Sequence, residues 1–208
     1  MNFDLTEDQR LFQDQIRKLV EREIAPGARE RDVGEAFPRE PLRKLAEAGF
    51  LGGTVDPEFG GAGMDYLSYG LLVEEVGRAD SSLRSTISVQ MSLVMKPIER
   101  WGTEDQKRKY LPRMAQAEFV GCFGLTEPNA GSDAAAQQTT AIRDGDAYVL
   151  NGQKMWITNG GVADVALVIA QTRPGGGTDS IAAFLVDRGT PGFSSQDIHG
   201  KLGLRSSN

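Results

Sequence analysis

Gly124-Leu125-Thr126-Glu127-Pro128-Asn129-Ala130-Gly131-Ser132-Asp133 is followed, about twenty residues on, by Lys154-Met155-Trp156-Ile157-Thr158-Asn159. In the first segment an apolar stretch runs into a loop of Pro, Gly and short polar side chains. Such a loop exposes backbone N–H groups and hydroxyls that suit oxygen and nitrogen acceptors. It also reads as a turn closed by local Ser and Asp hydrogen bonds. In the second segment Trp156 and Thr158 stand at i and i+2, which predicts a shared strand face. There the Trp would cover a planar ring and the Thr would reach its edge. The bland alternative is a core Trp beside a surface Thr.

Outward from these segments the chain divides. Before residue 118 the pattern is helical. Thr6-Glu7-Asp8-Gln9 and Thr103-Glu104-Asp105-Gln106 fit capping boxes. Leu11, Phe12, Ile16, Leu19, Val20 and Ile24 recur with a period near 3.6 residues, one apolar stripe. Pro26-Gly27 is expected to end that first helix. Further helices are expected over 38–48, with Gly49 closing the C-terminus, over 65–78, and over 83–95, ended or kinked by Pro97. Another runs from 103 toward 117, and Pro57-Glu58-Phe59-Gly60-Gly61-Ala62-Gly63 reads as a loop.

After 118 the segments become short and rich in Val, Ile and Thr. Asp144-Gly145-Asp146 and Asn151-Gly152 read as hairpin turns. Strands are expected over 163–171 and 180–186, joined by Gly175-Gly176-Gly177. The expectation is therefore α+β: an all-α domain over 1–118, then an antiparallel, barrel-like β-domain over 119–208.

The chain has 208 residues and a net charge of -6, with 23 Lys+Arg against 29 Asp+Glu. That balance argues against nucleic acid and anionic membranes as partners, which need a basic face. No run approaches the roughly 18 apolar residues of a membrane span. The acidic start, Met1-Asn2-Phe3-Asp4, resembles neither a signal nor a transit peptide, so a cytoplasmic protein is expected. The one cysteine, Cys122, excludes an intrachain disulfide and reads as a buried small hydrophobe. No His/Cys cluster suggests a metal. His199 has no nucleophile-elbow motif to partner it in a hydrolase triad. No G-x-G-x-x-G opens a helix, so a Rossmann site is not supported.

The order and spacing of the two opening segments, with Pro57-Glu58-Phe59-Gly60-Gly61 before them, closely resemble the acyl-CoA dehydrogenase family. The resemblance runs through the whole chain to Gly203-Leu204-Arg205. It implies FAD as cofactor, with Phe123, Gly124, Leu125, Thr126 and Ser132 lining it. Thr126 would contact the pyrimidine side of the ring, Trp156 and Ile157 would cover a face, and Thr158 would reach the hydride-accepting nitrogen. It also implies an acyl-CoA substrate, an electron-transfer flavoprotein as acceptor and a homotetramer. The family's base is a glutamate of a C-terminal four-helix bundle. It is expected beyond Asn208, on a chain whose β-domain is cut short at its C-terminal end. Glu127 falls in the flavin loop and is not the base. On this resemblance the 208 residues alone are inactive.

Leu83-Arg84-Ser85-Thr86-Ile87-Ser88-Val89-Gln90-Met91-Ser92-Leu93-Val94-Met95, with Gly121-Cys122-Phe123-Gly124-Leu125-Thr126-Glu127-Pro128-Asn129, is similar to the glutaryl-CoA dehydrogenases and relatives acting on dicarboxyl-type acyl-CoAs. There the arginine matching Arg84 faces the substrate's distal carboxylate, a task that suits a planar, permanently charged fork. Arg84, Ser85 and Ser132 are thus the expected substrate residues. The bland reading pairs Arg84 with Asp80 or Glu75. Where the glutaryl enzymes carry a glutamate seven positions before that arginine, this chain has Gly77, which puts decarboxylation in question. Two alternatives stay open: an acyl-CoA oxidase or flavin monooxygenase on the same scaffold, and a non-catalytic subunit supplying half a flavin site.

Overall fold

A computed structural model describes residues 4–208. The expectation built on the acidic start rests partly on Met1–Phe3, which lie outside the described residues. The chain forms two compact units. One runs through Phe119 and includes His199–Asn208; the other is Val120–Ile198. Residues 199–208, read from sequence as the end of the β-domain, thus pack with the helices.

The helical unit opens with α1 (Glu7–Leu19), whose capping box is formed as expected: Thr6 Oγ1 accepts from Gln9 N, and Gln9 Oε1 from Thr6 N. The helix does not stop at Pro26. It widens into a π-helical turn, Val20–Ile24, and continues as α2 (Ala25–Val33). Pro97 behaves alike: α5 (Ser81–Ser88) passes through the π-helical stretch Val89–Met95 into α6 (Lys96–Trp101). A proline inside an α-helix loses one hydrogen bond and its ring collides with the carbonyl four residues back. The wider i→i+5 turn just before each proline, seen as Ala25 N to Val20 O and Lys96 N to Met91 O, moves that carbonyl aside. Both prolines are therefore carried within longer rods.

Between these rods lie α3 (Arg39–Glu47) and α4 (Tyr66–Ala79), and α7 (Glu104–Ala115) follows them. Gly49 takes φ +78° after α3, as expected of its position. Ile16, Ile24, Leu42, Leu45, Leu72, Leu83, Ile87 and Leu111 form the dry centre. Leu11, assigned by its spacing to the apolar stripe, is instead 55% exposed. Buried ion pairs stitch the helices together. Glu75 on α4 accepts from Arg17, Gln13 and Arg78, and Asp80 caps α5 while binding Arg31 of α2.

The second unit is a five-stranded sheet: β1 (Gly121–Gly124), β2 (Thr140–Asp144), β3 (Ala147–Asn151), β4 (Val165–Gln171) and β5 (Ile181–Asp187). It is open and mixed, which corrects the expected antiparallel barrel. β4 is its centre. β5 pairs antiparallel along all of β4, from Val165↔Asp187 to Gln171↔Ile181. The other edge of β4 is shared end to end by β1, parallel over Val165–Val168, and by β2, which joins at Thr140↔Gln171. The chain leaves this edge after Gly124 and regains it at Thr140, so residues 125–139 are looped out beside it. β2 and β3 form the expected hairpin through Gly145-Asp146, with Gly145 at φ +59° as such tight turns require. Asn151-Gly152 makes no second hairpin, because no strand follows before β4.

Candidate functional site

The looped-out excursion is built around Glu127. Its N–H donates to Ala130 O at 2.9 Å and its own carbonyl accepts from Ala130 N at 3.2 Å, closing a turn over Pro128-Asn129. The Glu127 side chain points inward and is 5% exposed. One carboxylate oxygen accepts from Lys154 Nζ at 2.7 Å and Thr139 N at 3.0 Å; the other accepts from Gln138 N at 2.6 Å. Lys154 spends its remaining donors on Leu125 O and Gln137 Oε1, both at 3.0 Å. Next to it, Met155 N donates to Thr126 O at 2.8 Å. The two segments that opened the sequence reading are thus bonded directly to each other.

Burial alone would push the Glu127 carboxyl upward. The bonds from Lys154 and from the Gln138 and Thr139 amides outweigh it and hold the group at about 2. Burial pulls the Lys154 ammonium down, against the pull of Glu127. Because the folded value of Glu127 lies below the ordinary 4.5, its contribution to stability is complete above that range. It is lost as pH falls toward about 2. We expect acid unfolding of this unit in wild-type protein to be steeper between those limits than in a Glu127→Gln variant, measured by circular dichroism against pH. Equal slopes would remove Glu127 from the titration.

The second segment is not a strand, which corrects the shared-face expectation for Trp156 and Thr158. Trp156 takes φ +58°, a left-handed conformation that is costly for a large side chain, and its ring is 71% exposed. Asn159, also left-handed at φ +69°, is buried; its Nδ2 donates to Gly121 O at 3.0 Å and its carbonyl accepts from Val162 and Ala163. Asparagine tolerates this conformation, and here it clamps the Trp-bearing turn to β1. Among the described residues the hydroxyls of Thr126, Ser132 and Thr158 and the Trp156 indole N–H have no protein hydrogen-bond partner. A strained, exposed aromatic on a turn bonded to the Thr126 segment, together with these uncommitted hydroxyls, fits a planar heterocycle rich in acceptors. This is the surface a flavin ring would need.

Phe123 and Gly124 belong to β1, with Leu125 directly after it; Ile157 is half-buried and packs on the cluster of Cys122, Ala163 and Ala166. Ile157 therefore anchors the turn. Cys122 is 2% exposed, and burial pushes its thiol up to about 12, so it is an inert core residue.

Arg84 and Ser85 lie on α5 of the helical unit. The two carboxylates expected as bland partners of Arg84 are taken: Glu75 by Arg17 at 2.6 Å and Arg78 at 2.9 Å, Asp80 by Arg31 at 2.9 Å. Among the described residues Arg84 makes no ion pair. Its stem runs over Gly77, where an added Cβ would stand 3.3 Å from Arg84 Cγ. Sequence reasoning missed the Glu127–Lys154 pair; the only signal was that Glu127 is the one charged residue of 121–132 and Lys154 the one charged residue of 147–163. His199 lies outside the site, exposed and bonded to Glu35 at 2.7 Å.

Comparison with known proteins gives a consistent picture. Residues 6–118 match the N-terminal domain model of the acyl-CoA dehydrogenases and residues 122–208 match the middle-domain model. A short-chain-specific acyl-CoA dehydrogenase of Clostridium acetobutylicum is 44% identical over 207 residues, covering 100% of this chain and 55% of that protein. A solved glutaryl-CoA dehydrogenase from Mycobacterium smegmatis, in complex with FADH2, superimposes with a TM-score of 0.91 at 44% identity, covering 98% of this chain and 51% of that one. A chain from a structural study of the electron transferring flavoprotein of Acidaminococcus fermentans gives a TM-score of 0.94 at 46% identity, covering 100% and 55%. The chain thus spans about half the length of the relatives it matches. Among the described residues no helix is long and apolar enough to cross a membrane.

Proposed function

Because this chain belongs to the acyl-CoA dehydrogenase family, we propose that it forms the helical and flavin-facing parts of an FAD-dependent enzyme that oxidises an acyl-CoA thioester between its α and β carbons. The observation that carries the reading is the exposed, left-handed Trp156 standing in one bonded unit with Thr126, in segments whose Thr126, Ser132 and Thr158 hydroxyls bond no protein atom among the described residues. When bound, the flavin supplies a two-electron acceptor for the substrate's β-hydride. The chain's own residues then bind and orient. Phe123 to Thr126 and Ser132 would line the ring, Trp156 would cover it from the turn that Ile157 anchors, and Thr158 would donate a hydrogen bond toward the accepting edge. The domain boundary near 118 separates this part from the helices.

The substrate class is proposed from Arg84. A half-buried guanidinium whose neighbouring carboxylates are otherwise engaged suits an anionic acyl end, which favours a dicarboxyl acyl-CoA over a simple chain. Ser85, the next residue of α5, would supply a polar contact to the same substrate. Glu127 is not the base: a carboxylate held at about 2 by three donors cannot take an α-proton. We place the base in the part of the relatives' length that this chain does not span. An electron-transfer flavoprotein as acceptor and a homotetrameric assembly belong to the same proposal.

The test is to reconstitute full-length apoprotein with FAD and record tryptophan emission for wild type and Trp156→Phe. FAD is expected to quench a component that the variant lacks. Tight FAD binding with identical quenching in both proteins would take Trp156 off the flavin.

A further inference from the structure

We propose that the Glu127–Lys154 ion pair is the positioning element of the flavin site: it sets the spacing of the two flavin-facing segments and keeps the interior of their loop electrically neutral. The inference rests on the flavin reading above and adds two residues to it. Lys154 has three N–H donors, and each bonds a different group: Leu125 O, the Glu127 carboxylate and Gln137 Oε1. Glu127 in turn gathers the amides of Gln138 and Thr139. One pair of charges thereby joins 125–127, 137–139 and 154, while Thr126 and Trp156 project from residues directly beside or two removed from it. The stem of Lys154 passes over Gly124, where a Cβ would stand 3.3 Å from Lys154 Cγ, so a larger residue would press on it.

A staple of this kind needs no charge; two amides would span the same gap at a lower desolvation cost. What a buried ion pair adds is an electrostatic balance. Lys154 is 11% exposed and Glu127 5%, so neither charge is well screened by water if the other is removed. Reduction of a flavin adds negative charge to it. An uncompensated ammonium inside the loop would favour that change, and an uncompensated carboxylate would oppose it.

The experiment uses full-length protein loaded with FAD. The flavin midpoint potential, measured by equilibration with a reference dye, is compared in wild type, Glu127→Gln, Lys154→Met and the double variant. The potential is expected to rise in Glu127→Gln, to fall in Lys154→Met and to return to the wild-type value in the double variant. FAD is expected to bind at least tenfold more weakly in both single variants. Potentials that stay put, or that move in the same direction, overturn the proposal. A single variant that loses FAD while keeping a native far-ultraviolet spectrum supports positioning. If a single variant unfolds, the double variant decides. Folded with FAD at least tenfold weaker, it supports the proposal. Folded with FAD bound more tightly than that, or not folded at all, it overturns it. Wild-type protein that never binds FAD would instead refute the flavin reading itself.

Discussion

Replacing Arg84 with Gln is expected to raise the KM of the full-length enzyme for a dicarboxyl acyl-CoA about a hundredfold. A charge-assisted, two-pronged bond to a carboxylate is lost, and removing one partner of such a pair costs roughly 2–5 kcal/mol. At about 1.4 kcal/mol per factor of ten, a hundredfold change sits inside that range. For an uncharged acyl chain of equal length the penalty should stay within about fivefold, since no charge is then left unpaired. The prediction follows from the local ion pairing. Had Arg84 been held by Glu75 or Asp80, its loss would chiefly weaken the helices. Those carboxylates are already bonded to Arg17, Arg78 and Arg31, so the guanidinium is not needed there. Steady-state kinetics on the two substrate types checks this, and equal losses on both would assign Arg84 to the fold alone. The stem of Arg84 lies over Gly77, where an added Cβ would stand 3.3 Å from Arg84 Cγ and press the side chain aside by a few tenths of an ångström.

The second large effect is expected at Glu75. Glu75→Ala should destabilise the helical unit by about 3 kcal/mol and lower its melting temperature by on the order of 10 °C. Glu75 is 2% exposed and receives hydrogen bonds from Gln13 and Arg17, which join α1 to α4, and from Arg78 within α4. The estimate sits at the low end for a broken buried pair because Arg17 is 39% and Arg78 60% exposed, so both cations can rehydrate. The hydrogen bond from Arg17, outweighing burial, holds the Glu75 carboxyl below its ordinary value. Its stabilisation is therefore present above the ordinary carboxylate range and is lost as pH falls through the folded value. Thermal melts at neutral and acidic pH check both statements: the gap between wild type and variant should narrow in acid. A constant gap would mean that the cost is the cavity and not the charge.

How much of this was legible in sequence depends on the range of the interaction that decides each feature. The caps at Thr6 and Thr103 were readable because four consecutive residues settle them. So was the hairpin at Gly145, where one glycine sets the turn. Pro26 and Pro97 misled because a helix stop and a π-helical bypass share the same local sequence, and only packing of the following turns selects between them. The sheet was read as antiparallel because alternation reports which face is buried and not which way a neighbour runs. Yet Val165-Ala166-Leu167-Val168-Ile169-Ala170 is apolar without interruption, the mark of a strand covered on both faces, as parallel strands usually are. At the site, the spacing of Thr126, Ser132, Trp156 and Thr158 was visible through family resemblance. The left-handed turn that exposes Trp156 was not, since Trp-Ile-Thr favours a strand when taken alone. The partners of Glu75, Asp80 and Glu127 lie far away in sequence, and no local pattern names them.

The most direct test of the account is an anaerobic titration of the full-length, FAD-loaded protein with a dicarboxyl acyl-CoA and, separately, with a saturated acyl-CoA of equal length, followed by flavin absorbance. The account predicts that the flavin band bleaches with the dicarboxyl thioester at lower concentration than with the simple one. A flavin that stays oxidised with every acyl-CoA offered would contradict it.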